Sequence, residues 1–300
     1  MRRRESLRMG ADPGRVRQAE ARAMRIQIIT GDDKPFASKY LMHRLMELWR
    51  EDGHTVLVGP ARRLEADLAI MHVDLTVMDP GHLPDNPDGC PMVNGRVLDI
   101  SKTRISRQRV LQGDTHAGPV IVKSNFNAFG AKEFRALSRW SGPHLRRRLS
   151  KVVPWRWAGC LPKKEYPILD DVSQVPRWVW ERSDLIVERF VPERDGDDFV
   201  LRCWLFFGEQ EYSVKLFSHH PVVKVGGIHR HEYLHEVPDS LREARLALGF
   251  DFGKFDYVMV DGQAVLLDAN KTPTIAGNSR TPNLLRLATG LSGFVARGAA

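Results

Sequence analysis

From Met24 onward, short apolar runs alternate with apolar residues at helical spacing. "RIQIIT" is a continuous apolar run and predicts a buried strand. "KYLMHRLMELWREDG" carries Leu41, Leu45, Leu48 and Trp49 at helical spacing and stops at Gly53, which predicts a helix. "HTVLVG" and "ADLAIMHVD" predict two further strands. Strand, helix and strand joined by short links predict a parallel α/β unit, expected over residues 24–110. "GPVIVKSNFNAFGAKEF" opens a new strand-and-loop region, expected over residues 111–290 in two halves that divide at 187/188. In the second half, "LIVERFVPERDGDDFVLRCWLFFG" predicts a strand, a charged turn and a second strand, and "QEYSVKLFS" predicts another strand. A His-rich loop, a helix at "DSLREARLALG" and two β-rich stretches around Asp261-Gly262 follow. The fold class is α/β in the broad sense, a parallel unit followed by α+β units. Residues 291–300 are expected to form a C-terminal tail, and residues 1–23 a disordered basic tail without the apolar core of a secretory signal.

Composition narrows this little. The 300 residues are 42% hydrophobic and 27% charged, as in ordinary globular proteins. A net charge of +8 and a pI near 9.6 favour anionic partners without naming one. Cys90, Cys160 and Cys203 form no CxxC and are odd in number, so reduced thiols in a cytoplasmic protein are expected. No apolar run reaches membrane-spanning length. Arg and Trp interleave over residues 135–183, with Trp140, Trp155, Trp157, Trp178 and Trp180. Such a stretch suits single-stranded nucleic acid. Arg stems packed over aromatic rings are the structural alternative, and the one expected. His219, His220, His229, His231 and His235 crowd one segment, but their spacing fits no standard zinc pattern. A mobile polar loop is expected there, or an acceptor-binding end that uses Lys224 and Arg230.

From Val120 to Pro273, about half the chain, the order of elements and polar residues resembles the ATP-grasp superfamily, in its glutathione-synthetase-like, carboxylate–amine ligase form. The resemblance rests on the Lys ending "PVIVK", the Glu of "IVERFVP", the Arg of "FVLRCWLF", and "LGFDFGKFDYVMVDGQAVLLDANKTP". The last looks like the family's helix–strand–turn–strand with one acid, then acid-x-Asn-x-x-Pro. It implies an ATP-grasp core of two α+β subdomains behind a small parallel α/β domain, with ATP and Mg2+ as cofactors and Mn2+ as the alternative ion. The implied activity is a ligase that makes an acyl phosphate for attack by an amine or another nucleophile. A kinase acting on a hydroxyl shares the nucleotide half and stays as the alternative. The implied partners are small-molecule or peptide carboxylates and amines, with room for a homodimer and no membrane. A nucleic-acid binder would leave the hairpin acids without a purpose.

The resemblance assigns roles residue by residue. Asp268 would bridge two ions, with Asp256 and Asn270 on either side, since Mg2+ takes hard oxygen donors. The family usually has Glu where Asp268 stands. Asp256 and Asp268 must then share a face. A two-residue Asp261-Gly262 turn would separate them, so a three-residue Val260–Gly262 loop is expected, with Asp256 opposite Leu266. Lys123 would contact phosphates, and Lys102 would be a second phosphate lysine. Glu188, Arg189, Phe190 and Val191 would form the adenine hinge. Asp198 would hold the ribose, with Asp195 and Asp197 as competitors. Arg202 lies mid-strand in an apolar run and needs a partner. It would clamp phosphoryl oxygens, or else form a structural ion pair. The loop "SNFNAFGAKE" stands where the family carries a glycine-rich cover, but here it has only Gly130, with Asn125, Asn127 and Lys132.

Overall fold

Ile26, Ile28 and Ile29 are almost wholly enclosed, as an apolar run requires of a central strand, and they form β1 (Arg25–Ile29). The computed structural model describes residues 23–130, 133, 153–162, 165–275 and 280–294. The tail expected over 1–23 lies outside them except for Ala23. Helix α1 (Leu41–Glu51) buries the predicted stripe of Leu41, Leu45, Leu48 and Trp49 and leads to β2 (Thr55–Gly59). With β3 (Leu68–Met71) and β4 (Met92–Val93) these strands form a parallel sheet in the order β2-β1-β3-β4. A single turn of helix, α2 (Lys102–Ile105), follows.

The second sheet is antiparallel, in the order β6-β5-β7. It comprises β5 (Val120–Ser124), β6 (Ile168–Leu169) and β7 (Leu185–Arg189). Short helices α3 (Trp155–Ala158) and α4 (Arg177–Trp180) lie between β5 and β7 in sequence, and their Trp155, Trp178 and Trp180 pack on Val120, Val122 and Val187. Arg156 lies 5.6 Å from the Trp155 ring and Arg182 5.8 Å from the Trp178 ring. Among the described residues the Arg/Trp interleaving is therefore mostly internal packing, with Trp157 exposed; Trp140 lies outside them.

The third sheet holds β8 (Glu193–Asp195), β9 (Asp198–Phe207), β10 (Gln210–Ser218), β11 (Ile228–Leu234), β12 (Phe252–Val260) and β13 (Gln263–Asn270). Their order is β11-β10-β9-β12-β13, with β8 beside β9. Strand β11 takes up residues 228–234 of the stretch expected to be a loop. Between β11 and β12, helix α5 (Asp239–Leu248) buries Leu241 in a cluster with Trp204, Phe206, Phe255 and Tyr257.

The β12–β13 hairpin corrects one expectation. Val260 pairs with Gln263 and both turn residues are left-handed, Asp261 at φ 49° and Gly262 at φ 77°. This is the tight two-residue turn, not the three-residue loop. Such a turn alone would put Leu267 opposite Asp256. Instead the register slips after Tyr257–Leu266, and Asp256 pairs directly with Asp268. Leu267 is the extra residue of a β-bulge, so the bulge brings the two carboxylates to one face.

The chain closes on α6 (Pro282–Thr289), capped by the Thr281 hydroxyl, which accepts the Leu284 N–H at 3.2 Å. Leu287, Leu291 and Phe294 pack in one core with Ile26, Trp49, Phe207 and Phe252. Leu291 and Phe294, expected in a tail, are thus core residues, and that core joins the first sheet to the third.

Candidate active site

A cavity of about 270 Å3 opens between the second and third sheets. Lys123 and the Arg189–Pro192 segment wall it on one side, and Asp256, Val258 and Asp268 on the other. Lys102, Ala128, Phe129 and Tyr166 contribute further walls. Of the residues singled out in the sequence, the structure thus brings together Lys102, Lys123, Arg189, Phe190, Val191, Lys224, Asp256 and Asp268.

Each of the two hairpin carboxylates has its own ammonium. Lys102 is 4% exposed and lies 3.0 Å from Asp268 Oδ1. Lys254 lies 2.9 Å from Asp256 Oδ2, and the Cys203 thiol donates to Asp256 Oδ1 at 3.0 Å. Burial alone would lower the pKa of both lysines, but the facing carboxylates raise them above the ordinary lysine value, so both stay charged. Cys203 is pushed well up by burial and then by Asp256, so it stays a thiol. Burial pushes the Tyr166 phenol up to about 12, with Lys102 opposing.

Lys123 and Glu188 form a second pair. Ile121 is paired with Glu188, and Lys123 lies two residues further on, so lysine and glutamate share a face. Their side chains meet at 2.6 Å, and the other Glu188 oxygen is buried with no hydrogen-bond partner among the described residues. The loop over the cavity is strained. Ala128 and Phe129 adopt left-handed φ of 47° and 60°, followed by Gly130 at 66°. Its amides are held by protein partners: Asn125 Oδ1 accepts from Thr103, and Asn127 Nδ2 donates to the Ala269 carbonyl. Lys132 lies outside the described residues.

Glu188, Asp198, Arg202 and Asn270 do not line the cavity. Strand parity puts Asp198 and Arg202 on the β9 face opposite the acids, although Val200 on that face and Glu193 beside it do reach the cavity. Arg202 pairs with Tyr257, whereas Cys203 pairs with Asp256, so Arg202 and Asp198 share the face turned away from the acids. There Glu193 receives the Arg202 guanidinium at 2.7 and 3.0 Å and also accepts the Met259 N–H at 2.7 Å. The structural ion pair is therefore present, and its Glu193 partner stands on the cavity wall. Asp198 meets His219 and His229. The Asn270 side-chain oxygen accepts the Thr272 N–H at 2.8 Å in a local turn.

Lys254 and Tyr166 were not anticipated. Lys254 had a visible signal: it stands two residues before Asp256 in an apolar strand, hence on the same face. Tyr166 had none, because it comes from an irregular segment next to residues 163–164, outside the described set.

No family model and no curated protein sequence matches the chain. Among solved structures, a D-alanine–D-alanine ligase from Bacillus anthracis is 13% identical at a TM-score of 0.45, covering 92% of this chain and 98% of that one. A RimK-domain ATP-grasp protein from Sphaerobacter thermophilus DSM 20745 is 14% identical at 0.46, covering 91% and 98%. The ATP-grasp ligase PsnB, complexed with a minimal precursor, is 11% identical at 0.51, covering 91% and 99%. With two sheets gripping a cavity and a parallel unit ahead of them, the likeness to PsnB identifies this chain as having the ATP-grasp fold.

Proposed function

We propose that this protein is an ATP-dependent ligase that activates a carboxylate as an acyl phosphate for attack by an amine or another nucleophile. The observation that carries the reading is one cavity walled by Lys102, Lys123 and Lys224, with two carboxylates on a single hairpin face. Lys102 and Lys123 are point cations for phosphoryl oxygens, with Lys254 behind Asp256, and Arg189–Val191 lie beside the apolar Ile121 and Phe199 for a base. PsnB's being a ligase supports ligation only as an analogy of fold.

Asp256 and Asp268 fit Mg2+ by donor type, with Asn270 beside them once its local turn relaxes, and Mn2+ suits the same donors. Their charges are already balanced by Lys254 and Lys102, so the cluster gains most from an ion that arrives with the nucleotide's negative charge. Bound there, the ion would neutralise phosphate charge during transfer. The chain's own contribution is positioning. Lys102 and Lys254 orient the two acids, Glu188 holds Lys123 at the strand end, and the loop around Phe129 and Tyr166 screens the site from water.

Thermal denaturation is the first test. Mg-ATP or Mg-ADP raises the melting temperature, since a ligand selective for the folded state stabilises it. Lys123→Ala weakens the rise, and an unchanged melting curve at millimolar nucleotide rules out the reading. An ADP-release screen over carboxylates and amines with hydroxylamine present then defines the chemistry. Trapped hydroxamate supports the ligase, and a stable phosphorylated product makes the protein a kinase.

A further inference from the structure

At one end of the third sheet, three adjacent strands place ligand-bearing residues in a row. Asp198 opens β9, His219 follows the last residue of β10, and His229 is the second residue of β11. Ser218 pairs with Phe199 on one side and Ile228 on the other, which sets the three side by side. The β10–β11 register slips here: Phe217 faces Arg230 while Ser218 faces Ile228, leaving His229 as the extra residue of a bulge. A bulge re-aims the side chain it inserts.

The side chains converge. His219 Nδ1 is 3.0 Å from Asp198 Oδ1, and His229 Nε2 is 3.2 Å from Asp198 Oδ2. The two imidazoles stack at 4.3 Å with an interplanar angle of 16°. One ligand atom from each residue falls within 4.8 Å of the others. Asp198 Oδ1 is buried and, among the described residues, accepts no hydrogen bond of acceptable geometry, although the His219 nitrogen is so close. A tetrahedral Zn2+ with ligands at 2.0–2.1 Å sets its donor atoms about 3.3 Å apart. The two nitrogen–oxygen separations are near that spacing but involve different carboxylate oxygens, so one is a donor–donor edge for a monodentate Asp198 and the other imidazole closes by a small shift from within 4.8 Å. The nearby Arg230 is 4.0 Å from Asp198 Oδ2, but it pairs with Glu232 and stacks over Phe217, so its charge is held elsewhere.

We propose that Asp198, His219 and His229 bind one divalent transition-metal ion of the Zn2+ class, which ties both ends of the 219–227 loop to β9. Pro221, Val222, Val223 and Lys224 of that loop line the cavity, so the ion would set how firmly one cavity wall is held. Imidazole nitrogens distinguish this site from the all-oxygen donors Asp256 and Asp268. Three protein ligands leave a fourth position for water. The proposal does not depend on ATP being the substrate.

The test is a Zn2+ titration of the chelator-treated full chain against a chromophoric competitor, with Mg2+ in excess. One equivalent binds to the wild type. His219→Ala, His229→Ala and Asp198→Asn each weaken binding roughly tenfold or more, while His220→Ala, His231→Ala and His235→Ala do not. Hydrogen exchange of residues 219–227 slows when Zn2+ is added. Absence of stoichiometric binding, equal binding by the His219→Ala/His229→Ala double variant, or unchanged loop exchange overturns the proposal. Melting curves of the metal-free variants show that each is folded.

Discussion

Asp268 carries two demands at once: it faces the cavity, and it neutralises Lys102, a lysine that is almost fully buried. Removing one charge of a buried pair leaves the other uncompensated, which is costly even where the pair itself contributes little net stability. Asp268→Asn keeps an acceptor for the ammonium and loses the charge. We expect turnover to fall roughly 100-fold or more, in the range seen when a site loses a charge-stabilising group. We also expect a stability loss of about 1–3 kcal/mol by urea unfolding. Adding Lys102→Met in the Asp268→Asn background returns part of that stability without returning turnover. Asp256→Asn loses less turnover, and excess Mg2+ or Mn2+ partly restores it. Near-normal ADP release by Asp268→Asn would mean that these carboxylates serve only their lysines.

On the element scale, the hairpin depends on a close approach at Gly253. A Cβ there would lie 2.8 Å from the Asn270 carbonyl oxygen and 2.8 Å from the Phe250 ring. The carbonyl is backbone and cannot move aside, so Gly253→Ala forces β12 from β13 beside Lys254 and Asp268. The expected cost is roughly 1–3 kcal/mol by urea unfolding, together with reduced turnover. Gly262→Ala, in open space at φ 77°, strains only the turn; it costs about 1 kcal/mol and spares turnover. Equal activity loss in the two would show that hairpin stability matters and the close approach does not. This hairpin also marks how far the sequence could be read. Asp256 and Asp268 were legible because carboxylates interrupt apolar strands. The bulge at Leu267 was not, because nothing in an apolar run distinguishes an inserted residue from a paired one, and so the turn was misread to keep the acids together. Arg202 was legible only in part: a guanidinium inside an apolar strand needs a partner, but that the partner is Glu193 depends on the β8–β9 register, which no linear pattern shows. The Asp198–His219–His229 cluster fits no linear zinc pattern because the pairing of β9, β10 and β11 brings its members together from distant parts of the sequence.

On the scale of the whole molecule, the parallel unit and the third sheet are built around one core, and α6 and the residues after it seal it. Phe294 lies 5.3 Å from Phe207 between ring centroids, and a Cβ on Gly290 would meet the Phe207 carbonyl oxygen at 2.2 Å, so the closing turn lies directly on β9. The same cluster contains Cys203, whose thiol donates to Asp256, and Leu205 beside it. Loss of packing at the chain's end therefore reaches the cavity through β9. Phe294→Ala should cost about 3–5 kcal/mol in urea unfolding, the range for emptying a buried aromatic site. A chain stopped after Gly290 also loses Leu291 and should be less stable still. If Phe294→Ala folds, its thermal shift with Mg-ATP should be smaller than that of the wild type at equal nucleotide, because β9 positions Cys203 and Asp256 less firmly. A wild-type-like stability would return residues 291–300 to the status of a dispensable tail. A large stability loss with an unchanged nucleotide shift would confine the effect to the core and break the proposed link to the cavity.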